Sequence, residues 1–164
     1  MNRPQIHEYP KWAETYIKLV DGDVLEILER QAAEFSTFAS DLTEKAEYAY
    51  APGKWTLKEL IGHIVDTERI LVYRLTCFAR GEQQSLPGFN EDEYVSNSHF
   101  SKRSLLSLSE EFRLLRKANL YLFKSIEEGD LDITGTANGK RLTVRAMLYV
   151  IAGHIMHHTQ IIKE

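Results

Sequence analysis

His154 and His158 stand four residues apart in the stretch Ala152-Gly153-His154-Ile155-Met156-His157-His158-Thr159-Gln160-Ile161-Ile162. On a helix, residues at i and i+4 have Cβ atoms about 5–6 Å apart. Two imidazoles so placed can converge on one cation at bonds of about 2.0–2.1 Å. Both fall on the apolar stripe Met147, Leu148, Ile151, Ile155, Ile161 and Ile162, so the pair is expected to point inward. His157 instead follows Val150 and Gly153 toward Gln160, a more polar side. A third ligand must come from another helix, and His63, deep in Leu60-Ile61-Gly62-His63-Ile64-Val65, is the natural candidate. A glycine precedes His63 and another precedes His154. Each costs a helix roughly 1 kcal/mol against alanine, which suggests close helix approach beside the site. The alternative is three buried neutral histidines whose polar nitrogens all find partners.

Three histidines leave a coordination position open, the mark of a catalytic rather than a structural metal site. A metal there could bring a water or a thiol to its nucleophilic form at neutral pH. Histidine suits zinc, nickel, copper and iron alike; zinc or nickel is expected first. Thr67, at i+4 from His63, shares its face, and Asp66, at i+3, is a candidate to orient an imidazole. Asp66, Glu68 and Arg69 read equally well as a surface charge cluster. Trp55, just before the helix, is expected to wall the pocket or to serve as a plain core aromatic. Asn90 and Tyr94, on a long connection, are candidates to close over the opening. Gln160 should point away from the metal, and Cys77, among apolar neighbours, reads as an inert core thiol.

The elements that must carry these residues are helical. Pro10 could open a short helix running to Val20. Asp23 with Glu26 starts the next, with Val24, Leu25, Leu28, Ala32, Phe35 and Phe38 on one face and an end near Ser40. Thr56 with Glu59 forms a capping box for a helix reaching Phe78 or Arg80, with Leu57, Leu60, Ile61, Ile64, Leu71, Leu75 and Phe78 inward and Gly81 beyond its end. Residues 82–100 are a long crossing, within which Glu91 to Val95 could form one turn. Ser101 or Ser104 caps a third long helix, with Leu105, Leu108, Phe112, Leu115, Leu122 and Ile126 inward and Gly129 as its stop. Asn138-Gly139 suggests a hairpin over 134–141, after which Thr143 caps the last helix. The expected fold is all-α: one domain over residues 1–164, a four-helix bundle with a short extra N-terminal helix and long connecting loops.

Charge and composition exclude other classes. A net charge of −4 argues against a nucleic-acid binder, and Arg69, Arg74 and Arg80 read as an ordinary helix face. No apolar run approaches the roughly 20 residues of a membrane span. With one cysteine there is no internal disulfide framework. The opening residues carry no apolar leader, so the expected location is cytoplasmic.

Two motifs bear a resemblance. The stretch Tyr50-Ala51-Pro52-Gly53-Lys54-Trp55-Thr56-Leu57-Lys58-Glu59-Leu60-Ile61-Gly62-His63-Ile64-Val65-Asp66-Thr67-Glu68-Arg69 resembles the DinB-like (YfiT-like) family of metal-dependent enzymes, and the closing run around His154 and His158 is similar to its second motif. The likeness covers roughly residues 8 to 164. It implies a four-helix bundle with a divalent metal held by the histidine of the first motif and the two of the last, here His63, His154 and His158. It also implies frequent homodimers and, in some relatives, thiol S-transferase activity with a low-molecular-weight thiol such as bacillithiol, mycothiol or glutathione. The expected function is therefore a metal-dependent thiol S-transferase; the alternatives are a hydrolase using a metal-activated water and a non-catalytic metal-binding bundle. For the dimer the sequence adds only that Tyr73, Tyr121, Phe123 and Tyr149 give the helices more apolar positions than one inward stripe can hold.

Overall fold

The computed structural model describes residues 1–49 and 51–163, with Lys163 described by its backbone alone. Tyr50, the first residue of the first motif, and Glu164 lie outside the described residues. Pro10 is the N-cap of a 3-10 turn, Lys11–Ala13, that runs into α1 (Glu14–Ile17). The four long helices are α2 (Val24–Ser40), α3 (Leu57–Ala79), α5 (Leu105–Ser125) and α6 (Val144–Lys163). A short α4 (Glu91–Ser96) sits in the crossing between α3 and α5. No helix among the described residues is long and apolar enough to cross a membrane.

Side-chain oxygens at the N-caps fix where the long helices begin, because the first backbone N–H groups of a helix have no partner within it. Asp23 accepts from the amides of Leu25 and Glu26. Thr56 and Glu59 form a reciprocal capping box, Ser104 accepts from Ser107, and Thr143 accepts from Ala146. Before α6, β1 (Thr134–Ala137) and β2 (Lys140–Thr143) form an antiparallel hairpin with Ala137 opposite Lys140. Its turn residues, Asn138 and Gly139, have φ of +51° and +67°, as a two-residue hairpin turn requires. Leu86 of the long crossing bridges to Ala137 and so pins that crossing to the hairpin.

Helix α2 packs on α5, and α3 packs on both α5 and α6. The apolar interior forms two clusters. One gathers Val24, Leu28, Leu75, Phe78, Phe123, Leu142 and the first half of α6; the other gathers Phe35, Ile61, Ile64, Leu105, Phe112 and Ile155.

Helix α5 departs from the expected pattern. Its buried row is Leu105, Leu108, Phe112, Arg116, Leu120 and Phe123, while Leu115, Leu122 and Ile126 are only half-buried. The helix stops at Ser125, with Ile126 already extended, so Gly129 is not its end. The row continues at threes and fours through an arginine, which the apolar pattern had excluded. Of the aromatics that hinted at self-association, Phe123 and Tyr149 are buried within the chain, whereas Tyr73 and Tyr121 are 58% and 84% exposed.

Candidate metal centre

Helix α3 carries His63 on its buried side, and α6 carries His154 and His158 one turn apart. All three are buried, and one ring nitrogen from each lies within 4.8 Å of the other two. The His154 Nε2 stands 3.2 Å from His63 Nε2 and 3.1 Å from His158 Nε2. Bonds of about 2.1 Å, at angles between octahedral and tetrahedral, place donor atoms roughly 3.0–3.4 Å apart, so these separations fit one shared cation. Among the described residues no carboxylate or thiolate joins the three, which leaves any bound cation with an open side.

The approach of the helices to their neighbours is set by two missing side chains. A Cβ on Gly62 would fall 2.3 Å from the ring of Phe100, and a Cβ on Gly153 would fall 2.2 Å from the Tyr16 carbonyl oxygen. The glycines beside His63 and His154 therefore admit the Phe100–Lys102 turn and α1. At neither glycine do the nearest atoms belong to the other histidine-bearing helix.

Burial disfavours the charged imidazolium and holds all three rings neutral. The His63 pKa falls to about 4, burial outweighing the opposing charge of Asp92. That of His158 falls to about 3, through burial and then through His63 and His157. His154 is lowered as well, first by burial and then by the neighbouring histidines and Arg116. Neutral rings are the form that donates a lone pair to a metal.

The residues around the site divide. Thr67 Oγ1 is 3.4 Å from His63 Nδ1, and Trp55 lies against the same ring at 4.8 Å between centroids. Asp66 does not orient an imidazole. It pairs with Arg69, which reaches across to Glu111, and burial raises its pKa. Gln160 is exposed, as expected. Asn90 caps α4 and Tyr94 stacks on Phe89, so neither is placed on the histidines.

Two features were not visible in the sequence. Tyr16 packs its ring 5.7 Å from His154 and 5.5 Å from His157, so α1 forms a wall of the site. Glu68, Arg116, Gln31 and Asn119 form a buried network beside it. Arg116 donates from Nε and Nη2 to both oxygens of Glu68, at 2.7 and 2.8 Å, and from Nη1 to Gln31 at 2.6 Å. Asn119 donates to Glu68, and Gln31 donates to the carbonyl of Ala152, two residues before His154. The one signal was a gap: Glu68 fills the empty step between Ile64 and Leu71, whereas Ala32 already filled the step beside Gln31. A surface groove of about 300 Å³ between α2 and α6 has none of the three histidines in its wall.

No functionally curated protein matches the sequence. In fold the chain is similar to the solved structure of YfiT from Bacillus subtilis, described as a probable metal-dependent hydrolase with an unusual four-helix bundle topology. The TM-score is 0.75 at 16% identity, over 85% of this chain and 82% of that one. The family model of the DinB superfamily matches residues 27–162. That range spans both helices that bring the histidines together, and the chain belongs to the DinB superfamily.

Proposed function

We propose that this chain is a divalent-metal enzyme, with His63, His154 and His158 as the ligands, and that it activates water for hydrolysis. One observation carries the metal reading. A neutral imidazole Nε2 either donates one hydrogen or accepts one, yet His154 Nε2 faces two other Nε2 atoms at hydrogen-bond distance. Only one of those contacts can be a hydrogen bond. The Nδ1 of His158 is also buried without a partner. A cation shared by three lone pairs resolves the conflict at the centre.

When bound, the cation supplies Lewis acidity at an open position. The chain's own residues do the rest. Thr67 holds the His63 ring through Nδ1, while Trp55 and Tyr16 keep bulk water from the imidazoles. Asp92 places negative charge near His63, and Glu91 does the same at Tyr16. Water as the nucleophile follows the likeness in fold. The structural relative is itself described as a probable hydrolase. Transfer of a low-molecular-weight thiol would use the same donors, so an assay must separate the two. Exposed Tyr73 and Tyr121 support a homodimer as part of this proposal, and the proposed location is cytoplasmic.

Metal analysis of the purified protein should find about one zinc or nickel per chain, as a single open three-histidine site implies. Replacing His63, His154 or His158 by alanine should weaken binding about 100-fold or more, equivalent to roughly 2.7 kcal/mol, with His157→Ala retaining the metal. Ester and amide substrates should turn over without added thiol. Retention of metal by all three single variants would sink the ligand assignment, and turnover only when a thiol is supplied would replace hydrolysis by transfer.

A further inference from the structure

A second cavity, of about 240 Å³, lies where the N-terminal segment, α3, the long crossing and the hairpin meet. Its wall includes Trp12, Arg74, Phe89, Glu91, Asn138 and Lys140, and none of the three histidines. The volume admits one ring with a small substituent.

Arg74 is the unusual member. It is 8% exposed, yet among the described residues no carboxylate pairs with it. Its Nη2 donates to the Pro87 carbonyl at 2.8 Å, and its guanidinium lies 5.8 Å from the centre of the Phe89 ring. Burial alone lowers its pKa, with no acidic neighbour opposing. A guanidinium taken out of water without a counter-charge is costly, and here it lines a cavity. Lys140, also on the wall, has no acidic partner among the described residues. Glu91 is the one carboxylate in the lining; burial and Asp92 push its pKa up, and Arg74 is not among the charges acting on it.

The walls are held in place. Leu86 donates to the Thr136 carbonyl and accepts from the Asn138 amide, both at 2.9 Å. A Cβ on Gly88 would fall 2.6 Å from the Asn138 side-chain oxygen, so the crossing runs close against the hairpin turn here. Trp12, 42% exposed at the rim, and Phe89 offer flat apolar faces.

We infer that this cavity binds a small planar molecule carrying an oxyanion, with Arg74 and Lys140 on the anionic group and Trp12 and Phe89 on the ring. Arginine suits this task because its planar fork of donors matches carboxylate and phosphate oxygens. None of the three histidines lines this cavity, and the inference goes beyond the hydrolase reading.

The test is titration of the ¹⁵N-labelled, metal-loaded protein, read at its two indole N–H resonances. Trp12 lines this cavity and also packs on Tyr16 beside His154, whereas Trp55 lies against His63, so an anion in the cavity moves Trp12 alone and one at the histidines moves both. Benzoate, phenyl phosphate and neutral benzyl alcohol are the probes. Benzoate or phenyl phosphate should shift Trp12 saturably below about 10 mM; whichever binds tighter names the oxyanion. Arg74→Met should weaken that binding about 10-fold, the loss of a charge-assisted contact. Lys140→Glu, at an exposed position, should weaken it in the same direction. Benzyl alcohol binding as tightly as the anions would overturn the inference. So would an anion response that moves Trp55 as well, or a Trp12 response unchanged in Lys140→Glu and Arg74→Met alike.

Discussion

Two buried polar clusters lie side by side in this bundle, and they are finished to different degrees. In the Glu68–Arg116–Gln31–Asn119 network Arg116 uses Nε and both terminal nitrogens, Glu68 accepts on both oxygens, and Gln31 passes the chain on to the Ala152 carbonyl. Charge balances within it. The histidine cluster does not close: two Nε2 atoms compete for one, and a Nδ1 is left without a partner. Polar groups are costly to bury unless satisfied. The closed cluster therefore reads as architecture joining α2, α3, α5 and α6. The unfinished one reads as a site awaiting a further partner.

The comparison breaks most visibly at Arg116. Arg116→Met leaves the Glu68 carboxylate, 2% exposed, without its counter-charge. Removing one partner of a buried pair should lower unfolding stability by about 3–5 kcal/mol, read by urea denaturation of the metal-free protein. A loss below about 1 kcal/mol, the range of a surface pair, would mean the network is not structural.

Acid acts next, and on the other cluster. Unfolded, these imidazoles titrate near 6.5; folded, His63 does so at about 4 and His158 at about 3. Between those values the unfolded chain binds protons that the native chain refuses. Stability of the metal-free protein should therefore fall as pH drops from about 6.5 toward 4, and further toward 3, by about 3 kcal/mol for His63 alone. Above pH 7 this source contributes no slope. Carboxylates also titrate in the lower part of the window, so the reading is the difference from a His63→Leu, His158→Leu variant. Equal slopes in both proteins would remove the histidines as the cause.

The smallest effect sharpens the contrast. Thr67→Val keeps shape and burial but removes the hydroxyl facing His63 Nδ1. Loss of a hydrogen bond behind a ligand should weaken metal binding about 10-fold and leave the closed network's stability in place. A competitive chelator titration measures it, and an unchanged affinity would make Thr67 a packing residue only.

The two clusters also differ in how far the sequence announced them. The histidines are local in origin: an i,i+4 pair on an apolar stripe, and one more histidine inside another stripe. The caps at Asp23, Thr56, Ser104 and Thr143 were legible for the same reason, since each is decided within a few residues. Arg116 was not. Its partners lie 48 and 85 residues away, and an arginine on an apolar face reads as the face turning outward. The inward row of α5 was accordingly misplaced onto Leu115 and Leu122. Asp66 and Glu68 show the same limit. Two carboxylates on one helix turn look alike in sequence, and only α5 across the bundle decides that Glu68 goes inward and Asp66 pairs with Arg69.

His63 and His154 lie 91 residues apart along the chain. A cation holding both would tie off a loop containing α4, α5 and the hairpin. Constraining that much chain removes disorder from the unfolded state, as a covalent cross-link does. For a closed loop of this length the chain-entropy relation gives about 4–5 kcal/mol. Metal loading would then also act as a removable staple, and chelation should lower the unfolding stability by that amount while leaving the bundle folded.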